Sequence, residues 1–279
     1  MKNIKIICTL GPSSFKKKTL DSLKKTKVNV FRINLSHTNK SDIKNKILYL
    51  RKNKIKNICL DTEGAQLRTT KTKKRYHLKK GTNIKVSNNK TISDNTVINL
   101  YPKFNLLSLS RNSKIEVGFS NLKLKVLTKN FKTNYLLCKV IKSGLLESNK
   151  GVHLNKNIKL PALTEKDIFA LNLGKKMGIK YYAISFVNNH KDIDEVKKLV
   201  KSKNFIISKI ETKKALNDLK KISQSSSALL IDRGDLSRYI PIEEIPIIQE
   251  KIIANGKKNN TPVYVATNLL KNMIKNNEP

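Results

Sequence analysis

The chain has 279 residues, with 58 Lys and Arg against 20 Asp and Glu, for a formal net charge of +38. That length supports one large α/β domain, or a domain with a smaller module, each with a core of its own. No apolar run approaches the ~18 residues of a membrane span, Lys5 interrupts the apolar start as no secretory leader would, and Cys8, Cys59 and Cys138 match neither a disulfide framework nor a zinc pattern.

Residues 4–10 read as a short buried strand closed by Gly11-Pro12, with Ser13 or Ser14 placed to cap a helix that turns Leu20 and Leu23 inward. A second strand over 28–35 ends in Ser36-His37. A helix follows at 41–52, with Ile43, Ile47, Leu48 and Leu50 as its core face, and residues 57–61 form a third strand. Strand, helix and strand at this spacing predict a parallel sheet. From 69 to 154 the helical period vanishes, and short alternating segments appear at 83–86, 96–100, 114–117, 122–127 and 135–141. They predict a small antiparallel β domain inserted after the third strand. Past Leu160-Pro161, Thr164 and the acidic turn after it open a helix. Strands then recur at 181–187, 205–210, 228–232 and 262–267. The whole is a (β/α)8-type TIM barrel, incomplete after strand 7, spanning 1–68 and 155–279 around a β-barrel insert at 69–154.

Chemistry in such barrels sits at the C-terminal ends of the strands. Strand two ends in Arg32, Asn34, Ser36 and His37, and strand three in Asp61 and Thr62, with Arg68 beyond. Strand five ends in Lys209 and Glu211, strand six in Arg233 and Asp235, and strand seven in Thr267 and Asn268. Glu211 and Asp235 are hard oxygen ligands suited to Mg²⁺ or Mn²⁺. Lys209 and Glu211 are two residues apart, on one face of a strand. A lysine there can stabilise a transferring phosphoryl group or an enolate. Arg32 and Arg68 add guanidinium forks for phosphate. Asn34, Ser36, Asp61 and Thr62 form an all-oxygen set with one formal charge, fit for a monovalent cation. Neither a P-loop nor a dinucleotide glycine fingerprint is present. Taken singly, each feature has a plain structural reading: Lys-x-Glu is frequent, Thr267 can bond its own backbone, and His37 has no second ligand at metal spacing. Their joint arrival at successive strand ends carries the argument.

The segments Lys5–Ser14, Asn29–His37, Asp61–Arg68, Leu160–Asp167, Ser208–Glu211, Arg233–Leu236 and Ala266-Thr267 together resemble the pyruvate kinase family, in the family's order and across nearly the whole chain. The resemblance implies phosphoryl transfer between phosphoenolpyruvate and ADP, giving pyruvate and ATP. By position it implies Lys209 and Thr267 as catalytic residues, Thr267 also lying near the route of the proton that converts enolpyruvate to pyruvate. Arg32, Gly234, Asp235 and Thr267 would meet the substrate. Asn34, Leu35, Ser36, His37, Arg68 and Lys150 would meet the nucleotide. Glu211 and Asp235 would hold Mg²⁺ (or Mn²⁺), and Asn34, Ser36, Asp61 and Thr62 would hold K⁺. The sequence departs from the family at Glu63 (usually Lys), Gln66 (Glu), Asp232 (Ala) and Asn268 (Gln), and Gly118-Phe119 replaces an acidic pair after Val117.

The family's eighth βα unit and C-terminal domain have no counterpart in these 279 residues. A homo-oligomer or another partner over the open barrel edge is therefore expected. Seven arginines stand against 51 lysines, dispersed among few aromatics. That pattern reads as a base-composition footprint, so a cytoplasmic protein with neither a membrane nor a specific nucleic-acid partner is expected. Two other readings suit the same residues: a phosphoenolpyruvate or pyruvate-enolate enzyme of altered reaction, and a noncatalytic relic that binds anions.

Overall fold

A computed structural model describes residues 4–64, 66–88, 92–118, 122–156, 158 and 160–266. The chain opens with β1 (Ile7–Thr9), α1 (Lys17–Lys25), β2 (Val30–Asn34), α2 (Asp42–Lys52) and β3 (Ile58–Asp61). Short strands follow: β4 (Arg68–Thr69), β5 (Tyr76–Leu78), β6 (Asn83–Ser87), β7 (Val97–Tyr101) and β8 (Lys114–Val117). Next come β9 (Leu122–Asn130), β10 (Tyr135–Lys142), β11 (Gly144–Leu146) and β12 (Val152–Leu154). Alternation of helix and strand then resumes with α3 (Glu165–Lys176), β13 (Tyr181–Ile184), α4 (His190–Leu199) and β14 (Phe205–Ile210). The chain continues through α5 (Lys213–Asn217), α6 (Leu219–Ser225), β15 (Ala228–Asp232), α7 (Arg233–Leu236), α8 (Ile245–Lys258) and β16 (Val263–Ala266). It divides into two compact units, Met1–Gly64 with Ala162–Pro279 and Ala65–Pro161.

The first unit is the parallel sheet of an incomplete TIM barrel, in the order β1-β2-β3-β13-β14-β15-β16. Its strands are apolar on both faces, as a sheet covered by helices requires. On the helix side Phe31, Ile33, Leu60, Tyr182, Ile184, Ile206, Leu229 and Ile231 pack under Leu20, Ile43, Ile47, Ile193, Ile222 and Ile252 of the helices. On the opposite side Val30, Cys59, Ala183, Ile207, Ala228 and Leu230 form a smaller cluster.

The helices follow their apolar spacing. In α2, Ile43, Ile47 and Leu50 are buried, but Leu48 is 46% exposed, contrary to the expected core face. It lies one residue beyond Ile47, about 100° further round the helix. Neither Ser13 nor Ser14 caps α1: Pro12–Phe15 form a separate 3-10 turn, and α1 starts after Lys16 without a side-chain cap. Thr164 does cap α3, its hydroxyl accepting from Asp167 N while the Asp167 carboxylate accepts from Thr164 N. Gly174 of α3 lets the helix approach β3, since a Cβ there would meet Leu60 Cδ1 at 2.9 Å.

The second unit holds a sheet in the order β12-β8-β9-β10-β6-β7-β4 and a pair of β11 with β5. Alternation along β9 and β10 buries Leu122, Leu124, Val126, Leu136, Cys138 and Val140. The sheet is mixed and not wholly antiparallel, because β6 and β7 pair in parallel. Pairing between those two strands is a long-range choice that the alternation of each one does not encode.

Candidate active site

The apolar cluster Val30, Cys59, Ala183, Ile207, Ala228 and Leu230 marks one face of the parallel sheet. Side chains two residues further along each strand take the same face. On β2 these are Arg32 and then Asn34, on β3 Asp61, and after β13 Ser185. On β14 they are Lys209 and then Glu211, and on β15 Asp232. Parallel register brings the strand ends level, with Asn34 beside Asp61 and Asp61 beside Ala183. A polar layer thus stands above an apolar floor, at the C-terminal ends of the strands.

Lys209 is the centre of this layer. Its Nζ lies 2.8 Å from Glu211 Oε1, 3.6 Å from Asp61 Oδ1 and 3.9 Å from Asp232 Oδ2, and donates to Ser185 Oγ at 3.0 Å. Arg32 Nη1 approaches Asp61 Oδ2 at 3.7 Å, while its Nε donates to Thr9 Oγ1 at 2.7 Å. Burial alone would lower the Lys209 pKa, but the charges of Asp61, Glu211 and Asp232 outweigh it and raise it, so the ammonium stays protonated. Burial pushes Glu211 the other way for an acid, up to about 7, against the pull of Lys209 and with Asp235 and Asp232 adding to the rise. Burial opposes the charged form of both groups; for Lys209 the surrounding carboxylates outweigh it, whereas for Glu211 the neighbouring Asp235 and Asp232 add to it.

Ser185 joins the parts that the sequence reading kept separate. Its hydroxyl donates to Thr62 O at 2.7 Å and approaches Asp61 Oδ1 at 3.3 Å, and its backbone N–H donates to Thr62 Oγ1 at 2.9 Å. Phe186 follows with φ +54° and donates its N–H to Glu211 Oε2 at 2.7 Å. A bulky residue in the left-handed region is strained, and here that conformation aims an amide at the buried carboxylate. Ser185 was legible from strand parity, lying two residues after Ala183; the Phe186 conformation had no sequence signal.

Asp167 fixes the loop after β3. Its carboxylate accepts from Glu63 N at 2.8 Å and Gly64 N at 3.1 Å. Glu63 turns away from the polar layer to accept from Thr164 Oγ1 at 2.8 Å and to pair with Lys166 at 2.5 Å. Gly64 has φ +66°, and a Cβ there would meet Ser185 O at 2.8 Å, so the turn requires glycine.

At the end of β15, Asp232 Oδ1 accepts from Asp235 N at 3.4 Å, opening the short α7. Gly234 and Asp235 lie in this turn, and Arg238 Nη2 pairs with Asp235 Oδ1 at 3.0 Å. Carboxylate oxygens of Glu211, Asp232 and Asp235 all lie within 4.8 Å of one another. That hard, all-oxygen set fits Mg²⁺ or Mn²⁺. Asn34 Oδ1 accepts from Ser36 N at 2.9 Å, next to Asp61 in register. With Asp61 and Thr62 these residues give an oxygen set of one formal charge, which fits a monovalent cation.

Leu35 buries its side chain in the core, leaving only its backbone for a ligand, whereas His37 is exposed. Arg68 and Lys150 belong to the second unit, where Lys150 Nζ pairs with Glu147 at 3.2 Å. Thr267, with Asn268, lies outside the described residues.

The pyruvate kinase barrel-domain family model matches residues 1–279. The chain belongs to the pyruvate kinase family. Among curated relatives, a pyruvate kinase of Sporosarcina psychrophila is 32% identical over 291 residues, covering 100% of this chain and 50% of the relative. One of Clostridium perfringens is 32% identical over 291 residues, covering 100% and 61%. The chloroplastic isozyme G of Nicotiana tabacum is 32% identical over 289 residues, covering 99% and 50%. The chain spans about half the length of most of these pyruvate kinases. Among its described residues no helix is long and apolar enough to cross a membrane.

Proposed function

We propose that the chain carries the site for phosphoryl transfer between phosphoenolpyruvate and ADP. The observation that carries this reading is the buried Lys209, held in its charged form between Glu211, Asp61 and Ser185 beside a carboxylate cluster. In the reaction the bond between phosphorus and the enol oxygen breaks, and a bond from a terminal ADP oxygen to phosphorus forms. The electron pair left on the enol oxygen becomes the pyruvate enolate, which takes a proton at carbon to give pyruvate. Lys209 supplies a fixed positive charge where negative charge spreads over the transferring group and the enolate oxygen. Arg32 offers its guanidinium to a substrate phosphate, and Gly234 its backbone to the substrate. Glu211 and Asp235 would hold Mg²⁺ (or Mn²⁺), and Asn34, Ser36, Asp61 and Thr62 would hold K⁺. The divalent ion, when bound, neutralises phosphate charge and orients the oxygens for in-line transfer. Ser185 and Phe186 hold Asp61, Lys209 and Glu211 in place, so little reorganisation is needed at the moment of transfer. Thr267 is proposed to lie near the route of the proton to the enolate.

The test is pyruvate formation from phosphoenolpyruvate with Mg²⁺ and K⁺, with and without ADP, for the wild type and Lys209→Met. ADP-dependent pyruvate that falls by about 10²–10³ in the variant is the expected result. Pyruvate released without ADP would replace transfer by hydrolysis, and folded protein that forms none would overturn the reading.

A further inference from the structure

The two compact units are equally rich in cations and unequal in acids. Residues 65–161 carry 21 Lys and Arg and three Asp and Glu, and the other 182 residues carry 37 and 17. A base-composition footprint raises lysine throughout and accounts for the cations. It does not account for acids that are about threefold scarcer in one unit. Register then collects what the sequence disperses. Lys114, Lys125 and Lys139 come from three strands, yet β8, β9 and β10 set them directly opposite one another, on one face. Lys114 and Lys139 are exposed and Lys125 half-buried, while Ile115, Leu124 and Cys138 on the other face are buried. The three acids of the unit are engaged elsewhere, so among the described residues no carboxylate pairs with this row. Asn83 and Lys85 of β6 continue the face, Asn83 opposite Lys139. Lys85 Nζ stands 5.1 Å from the centroid of the Tyr135 ring. Tyr135 lies opposite Asn130, and Phe131, next in the turn, is 75% exposed.

We infer that this face of the second unit binds single-stranded RNA, without sequence preference. Opposed lysines destabilise the sheet that carries them, and a chain of phosphates relieves that repulsion. Strands stand about 4.8 Å apart, so the row spans about 10 Å, and its long side chains contact successive phosphates. Tyr135 and Phe131, at the hairpin end, offer rings on which bases stack, which any base sequence satisfies. The rings also separate RNA from an anionic bilayer. Stable attachment to a bilayer draws on buried apolar area besides charge, and a row of lysines with two rings at its end does not supply it.

The test is fluorescence anisotropy of a labelled oligouridylate of about 20 nucleotides, titrated with the full chain over a range of KCl concentrations. Lys114→Gln, Lys125→Gln and Lys139→Gln together should weaken binding by at least about tenfold. They should also make the slope of log K against log salt shallower by about 2, at about 0.7 for each phosphate contact. The same loss of charge through Lys251→Gln, Lys257→Gln and Lys258→Gln, at exposed positions of α8, should leave that slope unchanged. Phe131→Ala with Tyr135→Leu should weaken the oligouridylate by at least about fivefold and leave binding of inorganic polyphosphate unchanged. Thermal melting identifies a variant that fails to fold, and Lys125→Gln alone, with a slope change of about 0.7, then carries the comparison. Equal losses from the two lysine sets would mean a diffuse field and overturn the face. RNA binding untouched by the aromatic substitutions would make the ligand a bare polyanion and overturn the RNA assignment. Loss of binding to phosphatidylserine vesicles in the lysine-row variant, with the oligouridylate still bound, would make the partner a membrane and overturn it too. A wild type that binds no oligouridylate at low salt would end the inference outright.

Discussion

Ser185 shows how much one hydroxyl can organise. It accepts from Lys209 and donates to Thr62 O, with Asp61 within reach, so a single oxygen fixes a lysine and a carboxylate against each other. Removing it leaves a buried ammonium short of one acceptor, a loss of about 1–3 kcal/mol when such a group goes unsatisfied. In Ser185→Ala, pyruvate formation at saturating substrates should fall by about ten- to a hundredfold, because the Lys209 charge is displaced from where it acts. Ser185→Thr, which restores the hydroxyl, should recover part of that loss. Steady-state assays of both variants check this, and equal activity in wild type and alanine variant would remove Ser185 from the machinery. Phe186 belongs to the same argument, its φ of +54° being tolerated because the resulting N–H satisfies Glu211.

The start of α3 and the loop after β3 form the element on which Asp61 and Thr62 depend. Asp167, a residue of the helix capping box, reaches across to the N–H groups of Glu63 and Gly64. Burial pushes its carboxyl up to about 6, against the pull of the N–H groups of Thr164 and Glu63, with the Glu63 charge adding to the rise. A folded pKa above the ordinary carboxylate range means that the native state holds the proton more tightly than the unfolded chain. Its contribution is therefore fully present below about pH 4 and is lost as the pH rises through 6. Relative to Asp167→Asn, which does not titrate, the wild type should lose about 2 kcal/mol of unfolding free energy between about pH 4.5 and about pH 7.5. Urea unfolding of both proteins across that range tests it, and a constant difference would remove Asp167 from the pH response.

At the scale of the whole molecule, charge outweighs any single pair. The segment 65–161 carries 21 Lys and Arg and three acids, Asp94, Glu116 and Glu147. Those three are engaged locally, Asp94 with Thr96, Glu116 with Lys123, and Glu147 with Arg75 and Lys150. Cross-strand register sets Lys125 opposite both Lys114 and Lys139, and like charges directly opposite destabilise a sheet. Self-repulsion of a chain at +38 opposes compaction until salt screens it. Raising choline chloride from about 0.05 M to about 0.5 M should therefore lift the melting temperature by at least about 4 °C. Choline is too large for the proposed K⁺ oxygen set, so KCl at equal ionic strength should add a further rise through binding. A melting temperature insensitive to choline chloride would mean that the lysines are spaced widely enough not to interact.

The strand-and-helix rhythm of the first unit is legible in the order of its residues, and with it the face each strand residue takes. Lys209 and Glu211 share a side because β14 alternates, and they sit at a strand end because the strand closes at Ile210. Arg32, Asn34 and Asp61 were legible in the same way. Alternation also marked β6 to β10 of the second unit, whereas β4, β5, β11 and β12, two or three residues each, are too short to carry a period. Tertiary structure decided what parity leaves open: which strand ends meet, at what distance, and which side chain pairs with which. Asp61 reaches Lys209, Ser185 joins them, Arg238 takes an oxygen of Asp235, and β6 pairs in parallel with β7. The physical reason is that backbone alternation is a local steric rule with a fixed period, while a contact between distant segments depends on the register and closure of the whole sheet.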